Sequence, residues 1–249
     1  MTKIIISILV FFSAQVYASQ PNVLLYNVTD KTVLNSTEQS DRLSIASISK
    51  LMTVYTVLNE NQNLNEILTV KSKPCNHTRI NKGMKLSRLD LVRLSLISSD
   101  NLAAVTLSEN FPGGQGAFVQ AMNRNAMQLG MVNTMFFEPT GLDPNNASTL
   151  HDISLLTYTV SKYHLFREAA GSKGVDVHAV KGKKTLKIHG NPTIAFFGKQ
   201  GVTTIKTGFT NAAGWCVTML VSVNDKLYNV VILGAKTKQQ RLKLIEQSL

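Results

Sequence analysis

Ser44-Ile45-Ala46-Ser47-Ile48-Ser49-Lys50-Leu51-Met52-Thr53-Val54-Tyr55-Thr56-Val57-Leu58 joins a helix patterned for burial to one serine and one lysine. Its apolar residues Ile48, Leu51, Met52, Tyr55 and Leu58 follow helical spacing. A helix that starts near Ser47 puts Ser47 and Lys50 one turn apart on the same face, with Cβ atoms about 5–6 Å from each other. The lysine then reaches the serine hydroxyl. Ile48, Leu51 and Met52 surround Lys50 in sequence, and partial burial lowers an ammonium pKa toward a value suited to a general base. A serine becomes a nucleophile in this way without histidine. The same spacing also fits a serine that caps a core helix beside a lysine whose head stays in solvent, so the pair takes its meaning from the rest of the chain.

The chain has 249 residues, enough for one domain, or one domain with a nested subdomain, and a substantial core. Upstream of the helix, Lys3, the apolar run Ile4 to Phe12 and Val16-Tyr17-Ala18 have the three-part build of a secretory signal peptide over residues 1–18, with cleavage expected after Ala18. The run is short for a membrane span, so an uncleaved anchor is the alternative reading it favours less; no later segment reads as a span, and no stable membrane anchor is expected after signal removal. The net charge of +11 is spread without an Arg/Lys block or interleaved aromatics, which argues against nucleic acid as a partner. A basic exported protein is drawn to polyanionic envelope polymers or acidic substrates, although a generic basic surface explains the charge equally well. Cys75 and Cys216 could pair in an oxidising compartment or remain separate thiols. The histidines lack metal-ligand spacing, and no metal or cofactor is expected.

Along the chain, Val23 to Val28 reads as a strand, Thr29-Asp30-Lys31 as a turn and Lys31 to Leu34 as a short partner strand. From about residue 71 to residue 172 the pattern is mostly helical. Ser87-Arg88-Leu89-Asp90 resembles a capping box, Ser99-Asp100 breaks that helix and caps the next, and Phe111-Pro112-Gly113-Gly114 ends the second. Ala117 to Leu129 and Leu150 to Tyr163 are further helices, with a loop at Glu138-Pro139-Thr140-Gly141-Leu142-Asp143-Pro144. Strands return at Thr185 to Ile188, Val202 to Lys206, Trp215 to Val223 and Leu227 to Leu233, before a closing helix from Arg241 to Ser248. Strands at both ends with helices between predict an α/β fold, one antiparallel sheet built from both chain ends with flanking helices and a nested helical insertion over 71–172. Residues 19–249 then form a single domain.

Three short motifs fall in order: Ser47-Ile48-Ser49-Lys50, Ser99-Asp100-Asn101 and Lys206-Thr207-Gly208. Each alone is weak, but together they match the set shared by penicillin-binding proteins and class A β-lactamases. Two other Ser-x-Asn triplets begin at Ser108 and Ser222, inside a helix and a late strand; only Ser99 sits at an interhelical break. Lys206-Thr207-Gly208 ends a strand-like run, where lysine and threonine can meet a carboxylate and glycine admits a substrate backbone. With Ser44 to Thr53, Ser98 to Gly114, Met122-Asn123, Leu129-Gly130-Met131, Phe137 to Leu142 and Lys206 to Gly214, the chain resembles the low-molecular-mass penicillin-binding proteins, serine D-alanyl-D-alanine peptidases, and among them the periplasmic endopeptidases.

The resemblance implies a β-lactamase/transpeptidase-like fold and a periplasmic enzyme that cuts D-Ala-containing peptide bonds in peptidoglycan stem peptides, with β-lactams as covalent inhibitors. By the same resemblance Ser47 is the acylated nucleophile, Lys50 its proton acceptor and Ser99 a relay to the leaving amine. Asn101 holds the substrate peptide group, Lys206, Thr207 and Gly208 the carboxylate side, and the N–H groups of Ser47 and Phe209 the oxyanion. A D-alanyl-D-alanine carboxypeptidase would use the same chemistry; such enzymes often carry a second β-rich domain and an anchor, for which the residues after Ala235 leave no room. A β-lactamase would need a deacylation base, which Glu138 superficially offers without the asparagine expected at the end of that motif. A non-catalytic envelope-binding protein is the remaining alternative.

Overall fold

The computed structural model describes residues 21–37, 42–178, 185–189 and 201–248. The expected signal peptide and its cleavage site lie outside them. Strands β1 (Asn22–Asn27) and β2 (Thr32–Ser36) form the expected first hairpin, and the two-residue β3 (Leu43–Ser44) leads into a 3₁₀ turn, Ala46–Ile48, and helix α1 (Ser49–Asn59). The hairpin pair β4 (Ile67–Thr69) and β5 (Lys85–Ser87) precedes α2 (Arg88–Arg93), a π-helical turn Leu94–Ser98, α3 (Asn101–Glu109) and α4 (Gly114–Gln128). Then come β6 (Ala147–Ser148), α5 (Leu150–Val160), α6 (His164–Gly171), β7 (Gly174–His178) and β8 (Thr185–His189). Three long strands, β9 (Val202–Thr210), β10 (Gly214–Val223) and β11 (Lys226–Ala235), and helix α7 (Lys238–Ser248) end the described chain.

The main sheet has the order β2-β1-β11-β10-β9 and is antiparallel throughout, so the two ends of the chain meet at its centre, with Val23 opposite Ile232. Its middle strands are buried on both faces. Val217, Met219 and Val221 of β10, with Val230 and Ile232 of β11, join a core completed by Ile245 of α7. The alternate residues Cys216, Val231 and Leu233 join the larger helical core on the opposite face. This is the period-2 consequence of strand geometry, and it gives near-continuous apolar runs instead of alternation. Helix α5 is pinned to that second face by a hydroxyl pair, Thr157 Oγ1 to Thr218 Oγ1 at 2.6 Å, and by Asn229 Nδ2 donating to the Ser154 carbonyl.

Two expectations need correction. The span from residue 71 is not helical at its start: helix begins only at Arg88, where the Ser87 hydroxyl accepts from Asp90 N–H as the capping pattern required. The Thr185 strand does not enter the main sheet. It pairs with β7 in a separate two-stranded ribbon. A five-residue strand carries no address in its own sequence, and the choice between sheets is made by tertiary neighbours. Cys75 and Cys216 are both free thiols, the first exposed and the second buried, where burial pushes its pKa up to about 11.

Candidate active site

Helix α1 is buried along almost its whole length, and Lys50 is carried into the interior with it, fully inaccessible to solvent. Its ammonium has two partners. Nζ donates to Ser47 Oγ at 2.8 Å and to the Thr140 carbonyl at 2.7 Å. Ser47 itself lies in the 3₁₀ turn that precedes α1, two residues ahead of the α-helix that the sequence reading starts near it. Burial pulls the Lys50 pKa from its ordinary value down to about 7, against the opposing pull of Glu138 and Asp100. An amine of that pKa is substantially neutral at neutral pH. In the neutral form the contact can reverse, Ser47 O–H donating to the lysine lone pair, which is the arrangement a serine nucleophile needs.

Across the cleft stands a second serine–lysine pair. The π-helical turn closes on Ser99, held in the left-handed region at φ 57°, and Asp100 caps α3 by accepting from Ala103 N–H. That abrupt change of direction aims Ser99 at β9, the edge strand of the main sheet. Lys206 Nζ of β9 donates to Ser99 Oγ at 2.9 Å and to the Thr207 carbonyl at 2.8 Å. Lys206 is likewise wholly buried, and burial, with the cations Lys50 and Arg241 nearby, holds its pKa well below the ordinary lysine value.

Gly208 explains how the two walls come so close. A Cβ there would stand 2.8 Å from Ser47 N and 2.9 Å from Ala46 Cβ, so the strand can lie against the Ala46–Ile48 turn only because the side chain is absent. Ser47, Ser99, Thr207, Gly208 and Phe209 all line one cleft of about 290 Å³. Asn101 lies behind it, almost fully buried, its amide nitrogen donating to the Asn76 carbonyl at 2.6 Å. Five of the eight residues singled out from sequence therefore line this cleft, Lys50 and Lys206 reach it through their bonds to Ser47 and Ser99, and Asn101 is not among the lining residues.

Other contributors were not foreseen. His77 and Arg241 line the same cleft, as does Trp215, whose ring packs 4.4 Å from that of Phe209. Arg241 comes from α7 and stands over the Trp215 ring, donating to the Cys216 carbonyl. Glu138 is spent within its own loop. Its carboxylate accepts from Thr140 N–H, Thr140 Oγ1–H, Gly141 N–H and Asn146 Nδ2–H. The Glu-Pro-Thr-Gly-Leu run was legible as a loop, but a carbonyl oxygen has no residue letter, and nothing in the sequence singled out Thr140 as a lysine partner.

The chain is similar to known proteins in sequence and in fold. Residues 11–237 match a peptidase family model described as D-alanyl-D-alanine carboxypeptidase. The chain is 36% identical over 216 residues to a D-alanyl-D-alanine endopeptidase of Pseudomonas aeruginosa, covering 84% of this chain and 70% of that protein. It is 34% identical over 233 residues to the Escherichia coli protein of the same description, covering 90% and 75%. Identity to the carboxypeptidase DacF of Bacillus subtilis is 26% over 228 residues, 88% of this chain and 58% of the relative. Among solved structures, penicillin-binding protein D2 of Listeria monocytogenes in its ampicillin-bound form superposes with a TM-score of 0.79 at 27% identity, covering 94% of this chain and 97% of that one.

Proposed function

The chain belongs to the D-alanyl-D-alanine carboxypeptidase family of peptidases, and from that premise we propose that it hydrolyses D-Ala-containing crosslinks of peptidoglycan through an acyl-enzyme on Ser47. It is a serine-type D-alanyl-D-alanine peptidase. The observation that carries the residue assignment is the 2.8 Å contact between Ser47 Oγ and a buried Lys50 whose pKa is about 7. Lys50 takes the Ser47 proton as Oγ attacks the D-Ala carbonyl. Negative charge develops on the carbonyl oxygen, against the N–H groups of Ser47 and Phe209. Collapse expels the leaving amine, which receives a proton through Ser99. A water molecule then cleaves the ester and regenerates Ser47. Lys206 and Thr207 hold the substrate carboxylate, and Asn101 its peptide group.

Endopeptidase action is the reading favoured by the higher identity with relatives of that description, 36% and 34% against 26% for the carboxypeptidase DacF. β-Lactams, which mimic the D-Ala-D-Ala bond, are expected to trap Ser47; the likeness to a protein with bound ampicillin supports this. The substrate lies in the cell wall, so export to the periplasm by residues 1–18 completes the proposal. Mass spectrometry of secreted protein treated with labelled penicillin tests it: the expected result is one adduct on Ser47 in a chain beginning after Ala18. An adduct elsewhere refutes the nucleophile. Crosslinked muropeptide dimers should be cleaved to monomers; removal of only the terminal D-alanine of pentapeptides would show a carboxypeptidase instead.

A further inference from the structure

We infer that Glu138 is a positioning residue that braces both members of the Ser47–Lys50 pair through two separate arms, an inference that rests on the function proposed above. The first arm runs through its own loop. Glu138 accepts from the N–H groups of Thr140 and Gly141 and from the Thr140 hydroxyl, which folds the loop so that the Thr140 carbonyl meets Lys50 Nζ at 2.7 Å. The preceding carbonyl, Pro139, is tied to the same helix by Thr53 Oγ1 at 2.6 Å. Gly141 then passes so close to the nucleophile turn that a Cβ would lie 1.8 Å from the Ala46 oxygen, and its φ of +84° also demands glycine.

The second arm runs through Asn146. Its amide donates to Glu138 Oε1 and to Ser49 Oγ at 3.1 Å, and Ser49 Oγ in turn donates to the Ala46 carbonyl at 2.9 Å. Ala46, immediately before Ser47, has a φ of 47°, a conformation that an L-residue keeps only when its surroundings hold it. The chain Glu138–Asn146–Ser49–Ala46 supplies that hold. All of the Glu138 contacts are directed at its own loop and at Asn146, which gives the carboxylate a structural task and not that of a base for water.

Glu138 also acts on Lys50 through its charge. The groups that face Lys50 electrostatically are Glu138 from the loop, Asp100 from the start of α3, Cys75 from the segment before β5 and Lys206 from β9. Glu138 opposes the effect of burial more than the others do. Neutralising it lowers the Lys50 pKa below about 7, so the acid limb of the acylation rate moves to lower pH. The purely mechanical arm makes no such shift.

The test measures labelled-penicillin acylation and acyl-enzyme hydrolysis against pH in the wild type, Glu138→Gln and Ser49→Ala. Glu138→Gln is expected to acylate about 100-fold more slowly, the scale of an ångström of misplacement, with its acid limb displaced downward. Ser49→Ala cuts only the second arm and is expected to acylate about tenfold more slowly with an unshifted acid limb. Wild-type acylation by Glu138→Gln overturns the brace, most directly if the acyl-enzyme then accumulates, which would make Glu138 the hydrolytic base. Should Glu138→Gln not fold, Ser49→Ala decides alone, a wild-type rate overturning the inference. A wild-type protein that takes no adduct overturns the parent reading along with it.

Discussion

Lys50 and Lys206 have nearly the same immediate surroundings and different electrostatic ones. Each is fully buried, each donates to one serine hydroxyl and one backbone carbonyl, and the four distances lie between 2.7 and 2.9 Å. Lys50, however, stands on a core helix with the carboxylates of Glu138 and Asp100 offsetting part of its burial, whereas the charges acting on Lys206 are the cations Lys50 and Arg241. The helical wall thus carries a lysine tuned to exchange a proton near neutrality. The sheet wall carries one whose pKa burial and neighbouring cations lower, so an arriving anion would favour its charge, as the proposed role with the substrate carboxylate requires.

The largest test of that contrast is Lys50→Arg, which keeps the charge but cannot give up its proton. Penicillin acylation is expected to fall on the order of 10⁴-fold, measured by mass spectrometry of the adduct over time. In the wild type the same rate should fall as pH drops through about 7, where Lys50 gains its proton and ceases to be a base. Next comes Lys206→Met. Its kcat/KM for peptides with a free terminal carboxylate should drop about 100-fold, and for amidated peptides much less, since only the former present the missing anion. An equal loss on both substrates would erase the distinction between the two lysines.

Gly208→Ala probes the gap between the walls. Its Cβ would meet Ser47 N at 2.8 Å, and a retreat of β9 should slow acylation about tenfold and lower the thermal unfolding temperature, because backbone has to give way. The smallest effect is expected from Ser87→Ala, remote from both walls. Losing the cap of α2 should cost about 1 kcal/mol in denaturant unfolding and leave acylation unchanged.

Much of the site was readable because its residues are side chains in ordered motifs. Ser47 and Lys50 are three apart on one helical stretch, Ser99 sits where helical periodicity breaks, and Lys206 ends an apolar run. What escaped belongs to other categories. Thr140 contributes a carbonyl, Arg241 reaches the cleft from a helix that reads only as a chain end, and His77 enters it from a segment without regular structure. The ribbon formed by β7 and β8 escaped because its pairing partner is a choice among neighbours, not a property of five residues.

The sequence by itself determined the first hairpin, the long late strands and most of the helices, which follow from periodicity and capping, local properties of a chain, and it set three motifs in an order whose roles are implied by the resemblance to the penicillin-binding proteins. Only the tertiary structure decided the depth of burial that brings Lys50 to a pKa of about 7, the pairing of Lys206 with Ser99 across 107 positions, and the brace from Glu138. Desolvation and hydrogen bonding depend on which atoms surround a group after the chain has closed on itself, and residues far apart in sequence supply most of them.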